Sequence, residues 1–106
     1  MDGLPGLDLH AIEKKRPQGK PTPKKLRQLV EYQDYKCAVS GLELEPNTAS
    51  ADHIIPVSKN GQNDMCNIAI VHKEVNRMKG ALHMNDFIEW CRIICKNVEF
   101  NAKLDN

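Results

Sequence analysis

Two short apolar segments in the middle of the chain have the pattern of β-strands. Residues 51–55 mix apolar and polar positions and end at Pro56, which cannot donate a hydrogen bond to a neighbouring strand. Residues 67–71 are apolar at almost every position, which is typical of a buried strand. The Asn60-Gly61 pair between the two segments favours a tight turn. The pattern therefore predicts two consecutive strands joined by a polar loop.

A helix is predicted directly after the second strand. Val71, Val75, Met78 and Leu82 recur at helical spacing and share one face. Gly80 is well placed to end this helix, because glycine readily adopts the conformation that follows a helix C-terminus.

Further helices are predicted on either side of this centre. Thr22 is a suitable N-cap and Pro23 a suitable first residue for a helix up to about residue 33, and residues 36–39 then indicate a short strand. A last helix, about residues 85–98 with Asn85 as its cap, is expected to turn six side chains inward: Phe87, Ile88, Cys91, Ile94, Cys95 and Val98. The predicted fold class is α+β, with helices flanking a small strand–strand–helix core.

The first 23 residues differ from the rest of the chain. They are rich in proline and glycine and have no apolar period, which predicts a mobile or loosely docked arm over residues 1–23. Residues 24–106 then form one domain, as expected for a chain of 106 residues.

Composition excludes several classes of protein. Hydrophobic residues make up 41% and charged residues 27% of the chain, which is ordinary globular composition. The apolar runs are too short for a transmembrane helix, and the first residues lack the basic and apolar parts of a secretory signal. We therefore expect a cytoplasmic protein without a membrane partner.

Basic residues are concentrated in one segment although the net charge is only +1. Residues 14–27 contain seven Lys or Arg and no acidic residue. Such a cluster is compatible with contacts to nucleic-acid phosphates and equally with a solubilising arm. The basic residues are Lys14, Lys15, Arg16, Lys20, Lys24, Lys25 and Arg27.

The cysteines do not form a recognisable zinc or redox motif. The four residues lack any C-x-x-C pair, although Cys91 and Cys95 are one helical turn apart. Cysteines at this spacing on an apolar helix face are more often small core residues, so a structural zinc is not predicted. A zinc domain using these two residues with Cys37 and His72 remains an alternative.

Four polar residues are brought together by the predicted strand–strand–helix order: Asp52, His53, Asn67 and Asn76. His53 precedes Asn67 by 14 residues and Asn76 by 23 residues. With the Asp52-His53-Ile54-Ile55-Pro56 run and Lys79-Gly80, this pattern resembles the HNH endonuclease motif. It is most similar to the form with Asn at the last position, in the nuclease domain of CRISPR RNA-guided effectors. The resemblance covers about residues 37–82 and implies a ββα-metal (His-Me finger) core at about residues 49–80.

The resemblance implies a role for each motif residue. His53 would be the general base, since imidazole can accept a proton near neutral pH. Asp52 and Asn76 would hold one divalent cation, and their oxygen ligands favour Mg²⁺ or Mn²⁺ over Zn²⁺. Asn67 would bond across the loop and orient His53. Because Asp52 and His53 are adjacent, they must lie at the end of a strand or at a bulge to serve one substrate.

The predicted function is metal-dependent endonucleolytic cleavage of double-stranded DNA, with one strand nicked per site. Cleavage of both strands would then need a second domain or a homodimer. Five residues are candidates for substrate contacts: Lys79, His72, Lys24, Lys25 and Arg27. The alternative is a nucleic-acid-binding module that has the same fold without catalysis.

Overall fold

The computed structural model of the protein describes residues 15–105, with side chains up to residue 101. The elements, in chain order, are helix α1 (Pro23–Tyr32), strand β1 (Ala49–His53), strand β2 (Ile68–His72), helix α2 (Lys73–Lys79) and helix α3 (Met84–Asp105). Two 3-10 turns, Val57–Lys59 and Met65–Asn67, lie in the loop between the strands. This order confirms the predicted α+β fold with its strand–strand–helix centre.

The two strands form an antiparallel ladder that is regular from end to end. Ala49 pairs with His72 at one end, and His53 pairs with Ile68 at the other. Directly paired residues place their side chains on the same face of a sheet, and successive residues alternate between faces. Helix α2 contacts both strands and α1 contacts β2. Asn76 and Lys79 of α2 reach the face that carries Ser50 and Asp52, whereas Ala51 on the other face is exposed.

Helix α1 forms as the sequence predicts. The Thr22 hydroxyl accepts a hydrogen bond of 3.1 Å from the backbone N–H of Lys25, and Pro23 is the first helical residue. Leu29 is completely buried and anchors the helix to the sheet. The chain then leaves the helix through Asp34 and Tyr35, which both have positive φ values.

Two features of the secondary structure differ from the prediction. Residues 36–39 form an isolated bridge between Lys36 and Glu43 in place of a strand, because that side of β2 is bonded mainly by side chains. Helix α2 begins only at Lys73, since Val71 belongs to β2 and His72 is the N-cap. The predicted arm is described only from residue 15 onward, and residues 1–14 lie outside the described part.

Helix α3 is longer and more exposed than predicted. Of the six side chains expected to face inward, only Phe87 is buried and Ile88 is half-buried, while Cys91, Ile94, Cys95 and Val98 are exposed. Only the first turns of the helix meet the core, where the Met84 N–H donates to Ile54 O at 2.9 Å. The sheet is too short to cover the rest. No described helix, α3 included, has the length and apolar character needed to cross a bilayer.

The outer edge of β2 is bonded by groups from distant parts of the chain. The Gln33 amide donates to Ile70 O at 2.9 Å and accepts from Ile70 N at 3.0 Å, as a neighbouring strand would. Arg16 donates to Ile68 O at 2.6 Å, and the His72 N–H donates to the Cys37 thiol sulfur at 3.3 Å. Backbone groups of a buried strand are therefore satisfied without a third strand.

Gln33→Ala should destabilise the domain, because it leaves the N–H of Ile70 without its acceptor. We expect the free energy of unfolding to fall by about 1–3 kcal/mol, measured by urea denaturation. Gln28→Ala is the matched control, since Gln28 is exposed on α1, the helix that Gln33 caps at its C-terminus. It should change the free energy by no more than about 0.5 kcal/mol. Equal effects of the two substitutions would contradict the assigned role of Gln33.

Candidate active site

Asp52 is buried between β1 and α2 and forms an ion pair with Lys79. The Lys79 ammonium lies 3.3 Å from each carboxylate oxygen and also donates to the backbone oxygen of His53 at 3.2 Å. Asp52 is 7% exposed and Lys79 only 2%. The ammonium has hydrogen-bond geometry toward Oδ1 but not toward Oδ2, so Oδ2 is a buried oxygen that accepts no hydrogen bond.

Asn76 lies on the same face of α2 as Lys79 and one turn before it. Its Nδ2 donates to the Ser50 hydroxyl at 2.7 Å. Ser50 and Asp52 are two residues apart on β1 and share one face of the sheet. The structure therefore brings Asp52 and Asn76 to the same side of the sheet. The bond to Ser50 uses the amide nitrogen of Asn76 and not its amide oxygen.

His53 lies on the opposite face, at the end of β1. The ladder is regular up to the His53–Ile68 pair, so no bulge lies between Asp52 and His53. Their side chains point to opposite faces because the two residues are adjacent, and His53 is the last residue of the strand. His53 Nε2 is 3.0 Å from Asn63 Oδ1. An amide oxygen can only accept, so Nε2 carries the hydrogen in this contact and Nδ1 of the neutral ring keeps its lone pair.

Asn67 holds the loop that connects the two strands. Its buried side chain accepts from Ile55 N at 3.0 Å and donates to Ile55 O at 3.0 Å and Gln62 O at 2.8 Å. Gly61 lies inside the same turn, where an added Cβ would come within 1.8 Å of Ile55 O. The loop is therefore fixed by side-chain-to-backbone bonds and by a position that only glycine can occupy, and it carries Asn63 to His53.

The oxygen pair of Asp52 and Asn76 fits a hard divalent cation. The buried Oδ2 of Asp52 has an unused acceptor site, and a carboxylate with an amide oxygen is a donor set that Mg²⁺ accepts alongside several waters. Within residues 15–105, no three His, Cys, Asp or Glu side chains lie together as a metal cluster.

The four residues of the alternative zinc site have different local environments. His72 Nδ1 accepts from the Glu74 N–H at 3.0 Å and so caps α2. Burial opposes ionisation of the Cys37 thiol, but hydrogen bonds from Ser40 and His72 outweigh it, and the pKa of Cys37 lies below its usual value. Cys91 and Cys95 are exposed on α3, away from the core that encloses Cys37.

The predicted substrate-contact residues fall into two groups. Lys79 is inside the protein and does not present its ammonium at the surface, whereas His72 is half-buried and uses Nδ1 to cap α2. Lys24 and Arg27 are exposed on α1, and Lys25 is half-buried. Helix α1 borders the face of the sheet that carries Ala49 and Ala51 and, by alternation, His53.

The N-terminal part of α1 approaches the loop that carries Asn63. Hydrogen bonds from Cys66 hold the pKa of Asp64 below its usual range, and the charges of Lys20 and Lys25 act in the same direction. The Met65 N–H donates to Gly19 O at 2.8 Å, and Lys25 Nζ lies beside Gly19, so this part of the chain is close to the loop next to His53. Sequence reasoning did not identify Asn63 as a site residue, because its contact with His53 depends on how the loop folds back.

A family comparison agrees with this geometry. Residues 37–82 match the model of a family described as HNH endonuclease, so this segment of the chain is similar to that family. The match includes β1, β2, α2 and all four motif residues, while α1 and the whole of α3 lie outside it. No curated protein matches the chain. The match supports a nuclease at the level of the family, whose members act on nucleic acid and generally use a divalent metal.

Asn67→Ala should loosen the loop that carries Asn63, because it removes three hydrogen bonds and leaves buried backbone groups unpaired. We expect the free energy of unfolding to fall by about 2–4 kcal/mol in a urea titration. Asn97→Ala on the exposed face of α3 is the control and should have almost no effect. A stability loss no larger than that of the control would contradict the role assigned to Asn67.

Proposed function

We propose that the domain is a metal-dependent DNA endonuclease that hydrolyses one phosphodiester bond per active site and so nicks double-stranded DNA. The observation that carries the proposal is the position of Asp52 and His53 on opposite faces of one strand end, with Asn76 beside Asp52. A phosphate lying across this strand end could meet the base on one side and the oxygen ligands on the other. The homodimer suggested for cleavage of both strands belongs to the same proposal.

In this mechanism His53 activates the attacking water. Its Nδ1 accepts the proton of the water, while Asn63 Oδ1 holds the Nε2–H and fixes the orientation of the ring. Positioning matters here, because general-base catalysis requires hydrogen-bond distance to the proton that is removed. Asn67 contributes indirectly, since its bonds to Ile55 and Gln62 fix the loop from which Asn63 reaches His53.

Asp52 and Asn76 would hold the cation through one carboxylate and one amide oxygen. A bound Mg²⁺ or Mn²⁺ would supply Lewis-acid stabilisation of charge on the phosphate and on the departing oxygen. The contribution of the chain is to keep both ligands on one face: Asp52 by its register in β1, and Asn76 by its position on α2 above Ser50. Oxygen ligands without cysteine or histidine favour these hard cations over Zn²⁺.

We further propose that α1 contacts the DNA backbone. Lys24, Lys25 and Arg27 lie on the helix that borders the His53 face of the sheet. Flexible lysine and arginine side chains on a surface helix bind phosphates without reading base sequence, so these contacts would position the duplex and not select a site.

Cleavage of supercoiled plasmid by the wild type and by His53→Ala tests the catalytic proposal. We expect nicking with Mg²⁺ or Mn²⁺, none with EDTA, and a rate reduced roughly 10²–10⁴-fold in His53→Ala, because only the general base is removed. His83→Ala is the imidazole control. His83 accepts a hydrogen bond from the Asn85 N–H at the start of α3, and its loss should leave the rate near that of the wild type.

Two results would contradict the proposal. Binding of plasmid without cleavage under all three conditions would favour a non-catalytic nucleic-acid-binding module. Equal nicking rates for His53→Ala and the wild type would remove His53 as the base.

The salt dependence of DNA binding tests the assignment of α1. Lys24→Gln/Arg27→Gln should weaken binding and reduce the slope of log K against log salt by up to about 2, since each phosphate contact contributes about 0.9. The double variant Arg92→Gln/Lys96→Gln removes the same charge from exposed α3 and should leave the slope unchanged. The opposite ranking in a fluorescence-anisotropy titration would place the DNA on α3 instead.

A further inference from the structure

Lys79 is buried, although the sequence analysis expected it to contact a substrate phosphate. Its ammonium is enclosed between β1 and α2, and only 2% of the residue is exposed. It lies 3.3 Å from both oxygens of Asp52 and 3.2 Å from the backbone oxygen of His53. A side chain in this position neutralises the protein's own carboxylate before it can meet a substrate.

A buried carboxylate requires a compensating charge. Removal of an ionised carboxylate from water is costly unless a partner of opposite charge accompanies it. Among the described residues, the ion pair of Asp52 is with Lys79, while the neighbouring cation Arg77 pairs with Glu74 at the surface. Lys79 therefore allows Asp52 to stay ionised inside the protein without a metal ion.

The contact between the two groups is long. Charge-assisted N–H···O bonds are usually about 2.7–2.9 Å, whereas both oxygens of Asp52 are 3.3 Å from the ammonium and Oδ2 accepts no hydrogen bond. The carboxylate is thus neutralised but not saturated. A second cation could bind Oδ2, but it would lie close to the ammonium, and like charges repel strongly in a poorly solvated interior.

We propose that Lys79 is the resident counter-ion of Asp52, which replaces the divalent cation in the free protein and competes with it. This inference rests on the proposed role of Asp52 as a metal ligand. The domain then folds without metal, and the cation binds only at the expense of the Lys79 contact. Lys79 is a positioning residue in this scheme, because it acts on the site through the charge of Asp52.

The test is the affinity for Mn²⁺ of the full chain and of Lys79→Met, measured by isothermal titration calorimetry. We expect Lys79→Met to bind Mn²⁺ at least roughly tenfold more tightly, because the competing charge is gone. Its melting temperature should be low in EDTA and recover in Mn²⁺, whereas that of the wild type should respond little to EDTA. Lys73→Met is the matched control, an exposed lysine on the same helix, and should match the wild type in both measurements.

The wild type provides a second measurement that does not depend on how the variant folds. The ¹³Cε–¹H NMR signals of the lysines can be followed during addition of Mg²⁺. The signal of Lys79 should shift and saturate with the cation, while that of Lys73 stays in place. A fixed Lys79 signal while the amide signal of Asn76 saturates would overturn the inference.

Asp52→Asn separates the inference from the proposed function. If the wild type and Lys79→Met bind Mn²⁺ with equal affinity and Asp52→Asn abolishes binding, Asp52 is a ligand but Lys79 does not compete. If Asp52→Asn leaves the affinity unchanged, Asp52 is not a ligand, and both the metal site and the inference fail.

Discussion

The small size of the sheet is the constraint on which the rest of the structure depends. Two antiparallel strands of five residues each are not stable alone, and their faces and edges must be covered by other parts of the chain. Helices α1 and α2 pack against the sheet, and the side chains of Gln33 and Arg16 satisfy carbonyl groups on the outer edge of β2. These contacts join segments far apart in sequence, so Arg16 and α1 are held against the core.

The geometry of the candidate site follows from the way the helices pack against the sheet. Alternation along β1 turns Asp52 toward α2 and His53 toward the opposite face, and the three-residue spacing on α2 sets Asn76 near Ser50 and Lys79 near Asp52. The strand end is therefore the place where groups from both faces come closest. A hydrolytic site that needs a base and a cation on two sides of one phosphate fits this place better than a flat surface.

The sequence predicts the part of the fold that leaves a local pattern. Strand periodicity, the turn before Gly61 and the helical period after Val71 all locate the core within about two residues. The contacts of Gln33 could not be predicted, because a side chain that bonds to backbone 37 residues away produces no period. The prediction for helix α3 was wrong for the opposite reason. Its side chains do have an apolar period, but the small core has no surface on which most of the helix could pack, so Val98 stays exposed.

Arg16 shows why charge counted along a sequence differs from charge available to a ligand. It is one of the seven basic residues in segment 14–27, yet its guanidinium bonds to Met65 O and Ile68 O and lies 5.9 Å from the ring centroid of Tyr32. Both bonds come from Nη2, so this part of the guanidinium is engaged within the fold. Lys24 is one of the same seven and is exposed, so its charge is available to a phosphate. Deleting the whole basic segment 14–27 would remove both kinds of group at once, so only substitutions at exposed positions separate binding from folding.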